Sequence, residues 1–286
     1  MIWRTPRTIR RGTTVSAPPL KPGRALITGA SAGIGEAFAH EFARHGYNLT
    51  LVARREHKLQ ALAAELKKTY AIDVSTCACD LLDPSSIERI RKTCSDQEID
   101  ILVNNAGVMY HGDFKEQQLE SIDSIVHLNV ACLTKLSSVF LQPMLRRGGG
   151  RILNITSTTG FQAGPTIAVY AASKAYILSF TEALAEELRD SGVYATAFCP
   201  GFTDTHMAAE SFGEDIKNEP MSAFLMMSTT DVAALGYQAC MQGTTISVPG
   251  FANKLVSGIT RLQPKWMSRR LQAWMYRNML GGAEKN

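Results

Sequence analysis

The sequence predicts an α/β fold: one doubly wound, mostly parallel sheet of about seven strands, with helices on both faces. Three observations predict it. Short apolar runs alternate with stretches of helical period from residue 24 to about residue 250. A glycine-rich turn joins the first run to the first helical stretch. Successive runs end on small or polar residues, at the edge where such sheets place ligands.

Taken in order, Arg24-Ala-Leu-Ile-Thr28 suits a buried parallel strand. Thr28-Gly-Ala-Ser-Ala-Gly-Ile-Gly35 follows, then a helical stretch from Glu36 to His45. Strand, turn and helix form the first half of a dinucleotide-binding unit. Glycine lets the backbone approach a pyrophosphate, and a helix N-terminus favours its charge. The glycines fall at Gly29, Gly33 and Gly35, which is not the G-x-G-x-x-G spacing, so a mere tight turn stays open. A second strand, Asn48 to Ala53, runs into Arg54-Arg55 where an NAD site expects a carboxylate. Arg54 suits a 2′-phosphate and Ser31 adds a hydroxyl, so NADP is preferred over NAD. The alternative is a pair of solvated arginines opening the next helix, Glu56 to Tyr70.

Asp73 to Cys79 is the third strand, ending in Asp80-Leu81, where the acid faces an adenine amino group or forms a turn. Pro84 to Gln97 is expected to be helical, with Asp83 as N-cap and Pro84 at N1. The fourth strand, Asp100 to Val103, enters Asn104-Asn-Ala-Gly107, small enough for a cofactor ring to lie against the backbone. Residues 118–147 hold a long helical pattern with a break expected near Pro143. Asn129 lies within it, a poor interior residue unless its amide is employed. The fifth strand, Arg151 to Ser157, ends on a hydroxyl. A helix follows to about Ser191, then a sixth strand, Val193 to Cys199, closed by Pro200-Gly201, and a seventh, Thr245 to Val248.

Within the helix after the fifth strand, Tyr170-Ala-Ala-Ser-Lys174 sets a phenol and an ammonium one turn apart on one face. A fixed cation beside a phenol favours the phenolate and lowers its pKa, so the pair suits proton transfer near neutral pH. Alone, it also suits an amphipathic helix with a snorkelling lysine. The convergence of the glycine turn, Asp80, Asn104–Gly107, Ser157 and Pro200-Gly201 on one sheet edge favours the chemical reading.

These marks together resemble the short-chain dehydrogenase/reductase family over roughly residues 24–250, in the branch with bacterial reductases and long-chain ketoacyl reductases. The resemblance implies a Rossmann fold with Tyr170 as general acid/base and Ser157 holding the substrate oxygen. It implies that Lys174 lowers the Tyr170 pKa and binds the nicotinamide ribose, and that Asn129 anchors a proton-relay water. Cofactor contacts are implied for Gly29, Ser31, Gly33, Ile34 and Gly35 in the turn, and for Arg54, Asp80 and Leu81 beyond it. Asn105, Ala106, Gly107, Tyr170, Lys174, Pro200, Gly201, Thr203 and Thr205 complete the set; Thr203 stands where the family usually has Val or Ile. The expected activity is NADP(H)-dependent reduction of an apolar ketone or aldehyde, and the alternative is a non-catalytic NADP sensor or scaffold on the same fold. A homodimer or homotetramer is the family habit.

Composition is that of a soluble globular chain: 286 residues, 45% hydrophobic, 20% charged. No run is expected to reach the roughly 18 apolar residues of a membrane span. The six cysteines form neither a zinc pattern nor a small disulfide framework, which points to free thiols and a cytoplasmic setting. No metal is expected. The net charge of +4 hides an uneven distribution. Residues 1–35 hold six basic groups and no acid, and residues 251–286 hold seven and one. The middle holds 17 basic against 25 acidic groups, which gives no support to nucleic-acid binding.

Residues 1–22 read as a flexible basic arm, with a mitochondrial transit peptide as the compositional alternative. Residues 23–250 form the dinucleotide-binding and catalytic domain. Residues 251–286 form a basic extension whose Pro264 to Leu280 stretch carries Trp266, Met267, Leu271, Trp274, Met275 and Leu280. Packing over the substrate side, a subunit interface and a weak membrane-surface contact are its three readings. The segment between Thr205 and Ser228 is expected to lid an apolar pocket.

Overall fold

The structure, a computed structural model, describes residues 17–205, 207, 211, 226–264, 266, 267 and 269–273. Seven parallel strands form one sheet in the order β3-β2-β1-β4-β5-β6-β7. They are β1 (Arg24–Thr28), β2 (Asn48–Ala53), β3 (Val74–Ala78), β4 (Ile101–Asn104), β5 (Gly150–Ile155), β6 (Val193–Phe198) and β7 (Ile246–Ser247). The strand order reverses between β1 and β4, which opens a crevice at their carboxyl ends. The central strands are apolar runs buried on both faces, as a covered parallel sheet requires.

The helices are α1 (Gly33–Arg44), α2 (Glu56–Tyr70), α3 (Ser86–Thr93), α4 (Leu119–Ile125), α5 (Leu133–Arg147), α6 (Ala168–Glu187), α7 (Thr229–Gln242) and α8 (Phe251–Leu262). One core cluster gathers Phe38 and Phe42 of α1, Leu59 and Leu66 of α2, and Val232 of α7 on one face of the sheet. There Gly236 lets α7 close on α1, since a Cβ at that position would lie 2.6 Å from the Phe38 ring. The other face is covered by Ile90 of α3, Leu136, Phe140 and Met144 of α5, and Leu184 of α6.

Four expectations change. The helix over residues 119–147 runs through Pro143; its irregularity is a π segment, Val126–Cys132, that contains Asn129. The missing N–H costs about 3 kcal/mol. Burial of Phe140 and Met144 on either side, at roughly 1.5–3 kcal/mol each, outweighs it. The same 29-residue helix is long and apolar enough to cross a membrane by length and composition, contrary to the expectation of no such run. Its α5 portion packs against the sheet as a core helix. α3 begins at Ser86 with Ser85 as N-cap, because Asp83 accepts the Ser85 N–H (2.8 Å) in a turn that holds residues 83–85 out of the helix. The N-terminal arm is docked from Ala17, which is buried and donates its N–H to the Gln242 carbonyl (3.1 Å). Buried Arg151, stacked 4.5 Å from the Tyr194 ring centroid, donates to the Pro18 carbonyl (2.7 Å). Residues 1–16 lie outside the described residues. All six cysteines are buried free thiols.

Candidate active site

The first cleft wall is the turn between β1 and α1. Gly29 (φ 68°) and Gly33 (φ 59°) occupy left-handed backbone that side chains disfavour. A Cβ on Gly35 would lie 2.2 Å from the Gly29 carbonyl oxygen, so only glycine lets the helix start this close to the turn. No side chain caps the N-terminus of α1, so first-turn N–H groups have no side-chain acceptor. Thr28 braces the turn: its hydroxyl accepts from the Asn105 and Ala106 N–H groups (3.0 Å each). The Asn105 amide donates to the Thr28 carbonyl (2.9 Å). The turn is thereby tied across the switch point to the end of β4.

These groups open on a cleft of about 1280 Å³. Ser31, Gly33 and Ile34 line it beside Gly29, and Arg54, Asp80 and Leu81 line the end beyond β2 and β3. Arg54 is exposed, whereas its neighbour Arg55 donates to the Ser31 hydroxyl (3.1 Å). Lys58, one turn along from Arg54, joins the same wall. Asp80 accepts the Leu82 N–H (3.0 Å), the turn-forming role, while still facing the cleft. Pro200, Gly201, Thr203 and Thr205 close the opposite side, and Gly33 faces the Thr205 methyl.

Ser157, Tyr170 and Lys174 meet in the middle of this cleft. Ser157 follows β5 and its hydroxyl accepts the Thr159 N–H (3.2 Å); it lies near enough to the Tyr170 phenol to favour the phenolate. Lys174 is buried; its ammonium donates to the Ile155 carbonyl (2.9 Å) and lies 5.4 Å from the Tyr170 ring centroid. Burial pushes the phenol up to about 12, against the Ser157 contact, and pushes the ammonium down to about 8. The expected lowering of the Tyr170 pKa is outweighed in this geometry, where desolvation disfavours the charged form of both groups.

Asn129 is buried but is not part of the cleft wall. Its carbonyl oxygen accepts the Val108 N–H (2.9 Å), and its amide donates to the Val108 carbonyl (3.0 Å) and the Ser173 hydroxyl (3.1 Å). The amide is employed, as its place inside a helix required, in pinning the loop after Gly107 to α6. Asn104 likewise turns away, donating to Ser137 and Asn154 in the core.

The C-terminal extension builds a further wall, in keeping with the reading that it packs over the substrate side. A Cβ on Gly201 would lie 2.4 Å from the Asn253 side-chain oxygen, so α8 presses directly on the Pro200-Gly201 turn. Val256, Ile259 and Leu271 line the cleft, and Gln272 donates to Gln162 across it (2.8 Å). The amphipathic stretch signalled packing, but not which turn it would meet. Of the expected lid, Met207 and Ser211 line the cleft and Met227 pairs with Thr203 at the lid's end, whereas residues 206, 208–210 and 212–225 lie outside the described residues, as do Trp274, Met275 and Leu280. Among the described residues no cluster suits a metal.

A family model described as short chain dehydrogenase matches residues 24–215. The human very-long-chain 3-oxoacyl-CoA reductase is 31% identical over 64% of this chain. The rat 17-beta-hydroxysteroid dehydrogenase type 3 is 35% identical over 64% of it. The matches span 60% of the length of each of these two relatives. A short-chain dehydrogenase from Sphingobium yanoikuyae, solved in complex with NADPH, is 29% identical and superposes with a TM-score of 0.74, covering 85% of this chain and 97% of that one. The fold, the glycine turn and the Ser157–Tyr170–Lys174 cluster agree with the match over most of the chain: the protein belongs to the short chain dehydrogenase family.

Proposed function

We propose that the protein is an NADP(H)-dependent reductase of apolar ketones or aldehydes. The observation that carries this reading is the convergence of Ser157, Tyr170 and buried Lys174 on one cleft whose far end is the glycine turn. The residues fit a dinucleotide: glycines clear space for a pyrophosphate, the N-terminus of α1 is uncapped, and Ser31, Arg54, Arg55 and Lys58 supply donors for a 2′-phosphate. A bound nicotinamide supplies or accepts the hydride.

The chain's own residues do the rest. Ser157 and Tyr170 donate hydrogen bonds to the substrate oxygen as negative charge builds on it. Tyr170 then gives up its proton; a phenol pushed up to about 12 is protonated at neutral pH, which suits the reductive direction. The Lys174 cation lies close enough to stabilise the phenolate left behind. Asn129 positions Gly107, Val108 and Ser173 around this centre. Ile167, Val256, Ile259 and Leu271 make the substrate end apolar. The solved relative's NADPH and the ketoacyl and steroid names of the curated relatives agree with this chemistry.

The test is NADPH consumption by the purified chain with ketones and aldehydes of graded chain length. Turnover whose kcat/KM rises with apolar chain length supports the reading. Tight NADPH binding with no turnover of any member would point instead to a sensor or scaffold.

A further inference from the structure

Helix α8 is built inside out. Its buried positions are polar, Asn253 (4% exposed) and Ser257 (5%), one turn apart. Its outward positions are Phe251 (83% exposed), Leu255 (54%), Val256 (43%) and Ile259 (49%). Beyond it Trp266, Met267 and Leu271 are also exposed, and Leu271 shares the cleft wall with Val256 and Ile259. An amphipathic helix in a globular protein normally turns its apolar stripe inward, and a contiguous exposed apolar surface of this kind marks an interaction site. Exposed Lys254, Arg269 and Arg270 accompany it, in an extension with seven basic groups and one acid.

We propose that the outward face of α8, with Trp266 and Met267, docks on an anionic lipid bilayer. Aromatic and aliphatic side chains flanked by lysine and arginine are the composition of helices that lie in the plane of a membrane surface. Charge selects this occupant over a second copy of the chain. Two copies meeting through this face would bring two cationic extensions together, whereas acidic headgroups complement them. The face is also joined to the cleft: Val256, Ile259 and Leu271 are both exposed and part of the cleft wall. A docked molecule would open its apolar cleft beside the acyl chains, from which an apolar ketone would enter. That entry route rests on the reductase reading; the docking does not.

The full chain is floated with vesicles of phosphatidylcholine alone and with vesicles in which about a third of the lipid is phosphatidylserine. Phe251 and Leu255 are exposed and outside the cleft wall, so the double variant Phe251→Glu with Leu255→Glu probes docking alone. The expected result is binding to the acidic vesicles at least about tenfold stronger than to the neutral ones, weakening with salt and lost in the variant. The variant should keep NADPH affinity and turnover of a water-soluble ketone without vesicles. Wild-type binding no stronger than the variant's overturns the proposal. Self-association in analytical ultracentrifugation that the variant abolishes, without vesicle binding, overturns it in favour of a second copy. Vesicle binding by a chain that turns over no carbonyl would sustain the docking and sink only the reductase reading.

Discussion

Burial acts on Tyr170 and Lys174 in the same electrostatic sense and with opposite chemical results: each is driven toward its neutral form. For tyrosine that means holding the proton to about 12; for lysine it means losing it near 8. In the reductive direction Tyr170 is in its required state at every ordinary pH, whereas the Lys174 cation disappears as pH rises through about 8. We therefore expect kcat/KM for ketone reduction to be flat below about pH 8 and to fall above it toward tenfold per unit. Lys174→Met should give a low rate without that limb; an unchanged alkaline limb in the variant would remove Lys174 as its source. At the other end of the cleft, Arg54→Ala is expected to raise KM for NADPH by about tenfold or more and leave KM for NADH nearly unchanged, since a charge-assisted contact is worth roughly 1.5–3 kcal/mol. Equal effects on both would refute the 2′-phosphate role. That Arg54 would line the cleft was legible from its place at the end of β2. The bond from Arg55 to Ser31 was not, because sequence spacing does not say which of two adjacent arginines folds back.

Among the elements, the helices and strands that build the cleft are joined by a buried polar chain. Asn104 of β4 donates to Ser137 of α5 (3.0 Å) and to Asn154 of β5 (2.9 Å), and Asn154 donates to Thr181 of α6 (2.9 Å). Asn154→Ala removes one bond from Asn104 and one from Thr181, which keep only those to Ser137 and Ile177, at a cost of about 0.5–1.5 kcal/mol per bond. Urea denaturation should show a loss of that order, while an unchanged midpoint would mean that the chain is not structural. Period and turn signals placed all seven strands to within about two residues, since buried parallel strands are continuous apolar runs. They misplaced the irregularity in the helix over 119–147. Proline was the obvious breaker, but its neighbours are core residues; the distortion sits instead at Asn129, whose amide holds the Val108 backbone. The start of α3 slipped because Asp83 serves a turn before the helix rather than the cap itself.

At the scale of the molecule, the cleft has three walls, and two of the parts of the chain that build it have separable duties. The glycine turn, the ends of β2 and β3, and the loop after β4 form the wall that fits a dinucleotide; Ser157, Tyr170 and Lys174 come from β5 and α6 at its centre. Both parts were readable because a doubly wound sheet brings strand ends to one edge whatever lies between them. The third wall, from α8, Gln263, Leu271 and Gln272, was readable only as packing over the substrate side, because an amphipathic pattern does not tell which turn a helix will meet; here Gly201 and Asn253 decide it by close approach. Separable duties make separable defects, so the most direct measurement is the comparison of Tyr170→Phe with the wild type for NADPH affinity by fluorescence and for ketone turnover by NADPH consumption. The account predicts a dissociation constant changed by no more than about threefold and kcat reduced by about 10²–10⁴, the contribution of a positioned proton donor. Turnover at the wild-type level in that variant would contradict it.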